Sequence, residues 1–288
     1  MDILPQLVAN SVIAGAIYAL LALGFNLIYG TVKFFDLGYG ALTAVGGYAV
    51  FLFYKKLDWP LALSVILGVL IAGAIGWLAN ELVYKKLRAR RASNMVLLVA
   101  SLGIFTLLQA LIAIFFTSQF QTLANSAAAG RVLEVGSAVI TPVQLIILAS
   151  GLAIMGLLAL GFKKTFFGKA IKAVADDEEV ARVVGLNTAR IIGGVFFIGS
   201  ALAGLAGILV GFDTGIEPTM GLSLLLKGVI ASIVGGIGNV YGGVLGAFLL
   251  GFVENFGIWK ISGEWKDAIA FGLLIIFLLF RPRGLIRQ

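Results

Sequence analysis

Cysteine and histidine are both missing from this chain of 288 residues. Without cysteine there is no disulfide and no thiolate metal site. Without histidine the usual general base and commonest metal ligand are gone. The acids are few and scattered, so no nucleophile–base or metal constellation can be assembled, and an intramembrane enzyme finds no support. Charge is scarce as well: 12% of residues are Asp, Glu, Lys or Arg, where a soluble domain carries about a quarter. That is too little to cover a water-facing surface. A phosphate-cradling GxxxxGK[ST] loop is also absent. The one Gly-Lys pair, Gly168-Lys169, is followed by Ala170, so energy for any transport must come from a separate ATPase or from an ion gradient.

What is present is apolar. Hydrophobic residues make up 60% of the chain and mean hydropathy is +1.07. Apolar stretches run over 6–29, 37–54, 60–83, 95–117, 141–162, 191–212, 219–236, 240–257 and 267–280. Most are long enough to cross a bilayer core as helices, and the short alternating segments of a barrel are missing. The expected fold is therefore an all-α polytopic integral membrane protein with about eight to ten transmembrane or part-crossing helices. We expect a single transmembrane domain over 1–288. The stretches at 219–236 and 240–257 are joined by GGIGNVYGG, a tight hairpin or a re-entrant turn, which makes Gly235, Gly236 and Gly238 the hinge candidates. Glycine is abundant, at 38 residues, and lets helix backbones approach closely. The start, MDILPQLVANS, has no basic region of the kind that precedes a cleaved signal, so the first span is expected to remain in the mature protein.

Positive charge clusters in three places: Lys85, Lys86, Arg88, Arg90 and Arg91; then Lys163 to Arg190; then Arg281, Arg283 and Arg287. The intervening loops hold Lys55, Lys56, Arg131, Lys260 and Lys266. The positive-inside rule puts the three clusters in the cytoplasm. Nine crossings then place the N-terminus outside, the C-terminus inside and the loop at 118–140 outside. The lysines and arginines flank apolar spans, so the expected partner of this charge is a lipid bilayer, with no nucleic acid. A short echo links Phe35-Asp36-Leu37-Gly38 to Phe212-Asp213-Thr214-Gly215, each after an apolar span, as in transporters built from repeated halves.

The segment around 163–190 interrupts the apolar pattern with GKAIKAVADDEEVARVVGLNTARI. Asp176 is expected to cap a short helix, with Asp177, Glu178 and Glu179 in its first turn, where the helix dipole favours negative charge. Gly185 suits the position just past its end. Ile171, Val174, Ala181 and Val184 fall at near-helical spacing, giving one apolar stripe. The result is a capped amphipathic helix that either lies in the membrane interface or docks a cytoplasmic partner.

This segment resembles the cytoplasmic coupling loop of ABC-transporter permeases. Other stretches extend the likeness in order along nearly the whole chain: ALGFNLIYGTVKFFDLGYGALTAVGGY upstream, then LLLKGVIASIVGGIGNVYGGVLGAFLLGFVEN, then FRPRGLI at the end. The pattern is similar to the branched-chain amino acid permeases of LivH type. The resemblance implies a membrane permease subunit of an ATP-driven importer that is not itself an enzyme, set in the inner or plasma membrane of a bacterium or archaeon. It implies ATP-binding subunits, a second permease of related fold and an extracytoplasmic binding protein. It implies no cofactor in this chain, with ATP used by a partner subunit. Asp176, Asp177, Glu178, Ala181, Gly185 and Asn187 would be the ATPase-coupling residues. The chain departs from the family where Asn-Phe-Ala-His-Gly is usual and Asp36-Leu37-Gly38-Tyr39-Gly40 stands instead. Related permeases for urea or short amides share the fold, so the cargo stays open between these and leucine, isoleucine or valine.

Ionisable and amide groups inside apolar spans are costly and need a partner or a polar path. Lys227 and Glu254 are placed to pair across neighbouring spans, or else Lys227 snorkels and Glu254 sits at the interface. Asn26 bonds across helices or lines a path. Asp36 and Tyr39 follow a break in the backbone, where transporters bind small ligands, or else lie in an interfacial loop. These five are the translocation-path candidates. A gradient-driven transporter working alone would need more embedded carboxylates, and would leave the 163–190 segment without a task.

Overall fold

The computed structural model describes residues 3–124, 133–135, 138–281 and 284–286; Arg131, Arg283 and Arg287 lie outside the described residues. In chain order the helices are α1 (Ile3–Val32), α2 (Gly38–Val50), α3 (Leu61–Ala79), the short α4 (Lys85–Ala89), α5 (Asn94–Phe116), α6 (Pro142–Lys164), the short α7 (Phe166–Asp176) and α8 (Glu178–Val183), α9 (Thr188–Asp213), α10 (Met220–Gly235), α11 (Val240–Ile258) and α12 (Lys266–Phe280). A small hairpin, β1 (Leu133–Val135) with β2 (Ala138–Ile140), sits between α5 and α6. Among the described residues six helical rods are long and apolar enough to span a membrane: α1, the continuous rod Leu61–Ala89, α5, α6, α9 and α11. Three shorter apolar helices, α2, α10 and α12, complete the match to the apolar stretches. The molecule is an all-α polytopic membrane protein.

Local chemistry sets the helix starts. Thr141 and Gln144 form a reciprocal capping box at α6, with Pro142 at its first position, where its missing N–H costs nothing. Ser93 accepts from the Val96 amide at the start of α5. π-helical turns at Phe51–Lys56 and Asn80–Tyr84 lengthen α2 and join α3 to α4. Asn80, where α3 passes into the second π-helical turn, is buried.

α1 and α9 are the central helices. α1 packs against α9, α10, α11 and α6, and α9 against α1, α2 and α3. They run in opposite directions. Near the start of α1, Gln6 Nε2 donates to the Val139 carbonyl, and past its end the Lys33 carbonyl accepts from Asn94. α9 begins beside α8 and ends at Asp213, which accepts from Gln144 Nε2 at 3.3 Å. Each central helix is followed by a break, Lys33 to Leu37 after α1 and Thr214 to Thr219 after α9, and then by a shorter helix. α2 and α10 meet at Gly40 and Gly221, where a Cβ on either glycine would fall 2.6 Å from the other's carbonyl oxygen. α3 packs on α9 and α2, while α11 packs on α1 and α10. The α1–α2–α3 unit and the α9–α10–α11 unit are thus an inverted pair, the arrangement that brings breaks of opposite direction into one bundle.

Basic residues collect at one end. Arg88 reaches α8 there, Lys163 and Lys172 share a cavity with Gly30 and Asn239, and the 284–286 segment pairs with the end of α10. Strapped to the opposite end are Gln121, paired with Ile216, and Lys55, which donates to the Ala124 carbonyl.

Candidate functional site

The basic end holds the 163–190 segment as two helices rather than one. Thr165 accepts from the Gly168 amide and starts α7. Gly168, Ala170, Ile171 and Val174 are buried, anchoring α7 against α1, α6 and α9. Asp176 is the last residue of α7, and the cap is Asp177: its Oδ1 accepts from the Glu179 and Val180 amides at 2.8 and 3.0 Å. Two adjacent aspartates offered the same capping chemistry, and the extended backbone at the second one decided between them. Glu178 and Glu179 fill the first turn of α8. Gly185 closes the helix at φ +89°, with its own amide on Arg182 and the Leu186 amide on Ala181, a left-handed closure that suits glycine. Asn187 does a different job: its Oδ1 accepts from the Arg190 amide and starts α9.

The apolar stripe divides. Ile171, Val174 and Ala181 face inward, whereas Val184 is 70% exposed beside Val183 at 87% and Val180 at 58%. The expectation that Val184 continues the stripe fails because α8 ends at Val183 and the chain turns away there into the left-handed closure at Gly185. Glu178 ties the element back to the bundle. Both of its oxygens accept from Arg88 Nη2, at 3.2 and 3.1 Å, and Arg182 adds a third contact at 3.1 Å.

Asn26 is also near this end. Its Nδ2 donates to the Asn239 carbonyl at 3.3 Å and its Oδ1 accepts from the Gly238 amide at 3.0 Å. The turn between α10 and α11 is therefore held by α1. Gly236 and Gly238 adopt φ of +115° and +84°, and Gly235 lies against the Gly242 carbonyl with no room for a side chain. The Leu285 and Ile286 amides bond to Val234 and Gly235. The three hinge candidates thus lie in a turn braced from two sides. Asp36 and Tyr39 are sealed within the bundle: Tyr84 donates to Asp36 at 2.7 Å, and Tyr39 donates to the Leu21 carbonyl at 2.9 Å. Tyr39 has no exposed surface, so it lies in the packed interior and not in an interfacial belt.

Towards the opposite end Lys227 and Glu254 meet at 2.5 Å. Glu254 has no exposure, so it is not at the interface. Its other oxygen accepts from Tyr18 at 2.7 Å, and Lys227 also reaches Asp267 at 2.8 Å and lies over the Tyr18 ring. Lys266 stands 3.8 Å from Glu254. This network borders a cavity of about 520 Å3 between α1, α6, α9, α10, α11 and α12. Tyr18, Lys266 and Asp267 escaped the sequence reading. Tyr18 lies in an unbroken apolar run, Lys266 reads as a loop residue, and Asp267 is merely the first residue of the 267–280 stretch.

Breaks inside an inverted helical pair, embedded ion pairs and a capped helix presented at the basic end define a polytopic transport permease, a carrier component and not an enzyme. The family model described as "Branched-chain amino acid transport system / permease component" matches residues 7–278, and the chain belongs to that family. The high-affinity branched-chain amino acid transport system permease protein BraD of Pseudomonas aeruginosa is 30% identical over 295 aligned positions, covering 98% of this chain and 95% of that protein. LivH of Escherichia coli (strain K12), of the same description, is 30% identical over 293, covering 98% and 94%. Among solved structures, PsaBC from Streptococcus pneumoniae in complex with Fab superposes with a TM-score of 0.56 at 14% identity, covering 98% of this chain and 93% of that one, a likeness of fold. Membership makes the chain a multi-pass cell-membrane permease of an ABC transporter, whose family works with ATP-binding subunits and a substrate-binding protein.

Proposed function

We propose that this chain carries branched-chain amino acids through the membrane as one of two related permease subunits, and that α7 and α8 form the element an ATP-binding subunit grips. The basic end faces the cytoplasm by the positive-inside rule, and ATP is used by the partner, with no cofactor in this chain. The observation that carries the reading is the split of the 163–190 segment. One face, Ile171, Val174 and Ala181, is fixed in the bundle, while Val180, Val183 and Val184 stand out from it. An apolar tip on a charged, anchored mount suits a partner's groove. Force applied to α8 reaches the α3–α4 rod through Glu178 and Arg88 and reaches α9 through Asn187.

Leucine, isoleucine and valine are the cargo favoured by the relatives' names. The replacement of the family's usual Asn by Asp36 does not argue for urea or an amide, because Asp36 is bonded inside the bundle by Tyr84. The test is co-purification. The parent chain should retain its ATP-binding subunit in mild detergent, and Val183→Asp should lose it while remaining folded. Retention unchanged by Val183→Asp and Val184→Asp together would remove α8 from the interface.

A further inference from the structure

We propose that the cavity at the end opposite α8 is a binding site, within this single subunit, for a small zwitterion carrying an aliphatic side chain. The proposal rests on the amino-acid reading above and adds a place and a set of contacts to it.

The cavity, about 520 Å3, has walls of three chemistries. Cations come from Lys227 and Lys266, and carboxylates from Asp213 and Asp267. Ile17 and Leu224 supply aliphatic surface. A site for an anion alone would concentrate cations, and a site for a neutral amide would need no charge of either sign. Both signs around one space of this size match a ligand that is itself an ammonium and a carboxylate.

The groups are not equally free. Lys227 is held between Glu254 and Asp267, so its charge is fixed in place. The Lys266 side chain is 38% exposed, and its one ion-pair contact among the described residues, to Glu254, is long at 3.8 Å. Asp213 has no cation within ion-pair distance among the described residues, and its partner is the Gln144 amide at 3.3 Å. A ligand carboxylate therefore goes to Lys266 and a ligand ammonium to Asp213, with the side chain against Ile17 and Leu224. Charge-assisted contacts at both ends fix orientation, and the aliphatic wall adds the apolar part of the affinity.

The buried network gives the site its floor. Glu254 is fully enclosed, and its oxygens are taken by Lys227 and Tyr18. Such a network is expensive to bury. It fixes Lys227 in the cavity wall, where Lys227 also meets the exposed Asp267, and it ties α1, α10, α11 and α12 together.

The experiment uses the assembled complex in lipid nanodiscs without its substrate-binding protein. Retention of labelled L-leucine is measured by equilibrium dialysis, and import by the full system is measured in parallel. Leucine should be retained and displaced by valine and isoleucine. Isopentylamine and 4-methylpentanoate, which each keep one of the two charges, should fail to displace it. Asp213→Asn and Lys266→Gln should each weaken retention at least tenfold. Ser223→Tyr, which fills the cavity and leaves every ion pair intact, should do the same, with co-purification of the ATP-binding subunit unchanged in all three. Parent-level retention in these variants overturns the proposal. So does a parent complex that imports leucine yet retains none, while the reading of function survives. A parent complex that imports no branched-chain amino acid overturns the reading of function and the ligand assigned here with it.

Discussion

Arg88, in the last turn of the α3–α4 rod, grips Glu178 of α8 through a single guanidinium nitrogen at 3.2 and 3.1 Å. The two residues are 90 positions apart, and their contact joins the segment that stands out of the bundle to a helix packed against α9 and α2. Glu178→Arg should therefore lower ATP-driven uptake severely while leaving binding of the ATP-binding subunit largely in place. The exchange Arg88→Glu with Glu178→Arg should restore part of the uptake. A double-mutant cycle should give a coupling of about 0.5–3 kcal/mol, the range for residues in direct contact.

The Lys227–Glu254 pair predicts an asymmetry. Glu254→Leu leaves the buried ammonium with Asp267 as its remaining carboxylate and should cost up to about 3 kcal/mol, the low end for breaking a buried pair. Lys227→Met combined with Glu254→Leu removes both charges and should recover most of that loss. Thermal unfolding in detergent distinguishes them: the double variant should melt above the single one.

Gly207 and Gly103 predict opposite outcomes for the same change. A Cβ on Gly207 would collide with the Thr43 backbone, whereas Gly103 has nothing within 4 Å. Gly207→Ala should push α9 from α2 and reduce the yield of folded protein. Gly103→Ala should be neutral or stabilising, since alanine is the better helix former by about 1 kcal/mol. Size-exclusion profiles of the two variants check this.

Gly185→Ala tests the closure of α8. No atom blocks the new methyl, but the φ of +89° is unfavourable for any side chain, so the cost is conformational, about 1–2 kcal/mol. Bundle melting should be unchanged while affinity for the ATP-binding subunit falls, as measured by titration.

Much of this was legible in the sequence because a membrane span must be long and apolar. What was not legible was which helix lies inside. α1 and α6 are both apolar on all faces, yet 89% of the spanning window of α1 is buried against 11% in α6. In a bilayer, an outward face need not be polar, so the periodicity that marks a core-facing stripe in a soluble helix vanishes. The 163–190 segment was readable because it is built by soluble rules of caps, a first-turn acid pair and a closing glycine. It was misread in three places: Asp176 for Asp177, two neighbours with equal capping chemistry; one helix where α7 and α8 stand; and Val184, which leaves the stripe where α8 ends. Lys227 and Glu254 stood out as charges in apolar runs, but Tyr18, Lys266 and Asp267 joined them only through the packing of α1, α10, α11 and α12. Asn26 was visible as an amide in an apolar run, but its partners, Gly238 and Asn239, lie more than 200 residues away.

The central claim is that ATP hydrolysed by a partner, acting through α8, moves branched-chain amino acids across this chain. Uptake of labelled leucine into proteoliposomes holding the assembled system tests it most directly. The account predicts accumulation that requires ATP and is abolished by Val183→Asp. Uptake that continues without ATP on an ion gradient, or ATP-driven uptake of urea or an amide with leucine excluded, would contradict it.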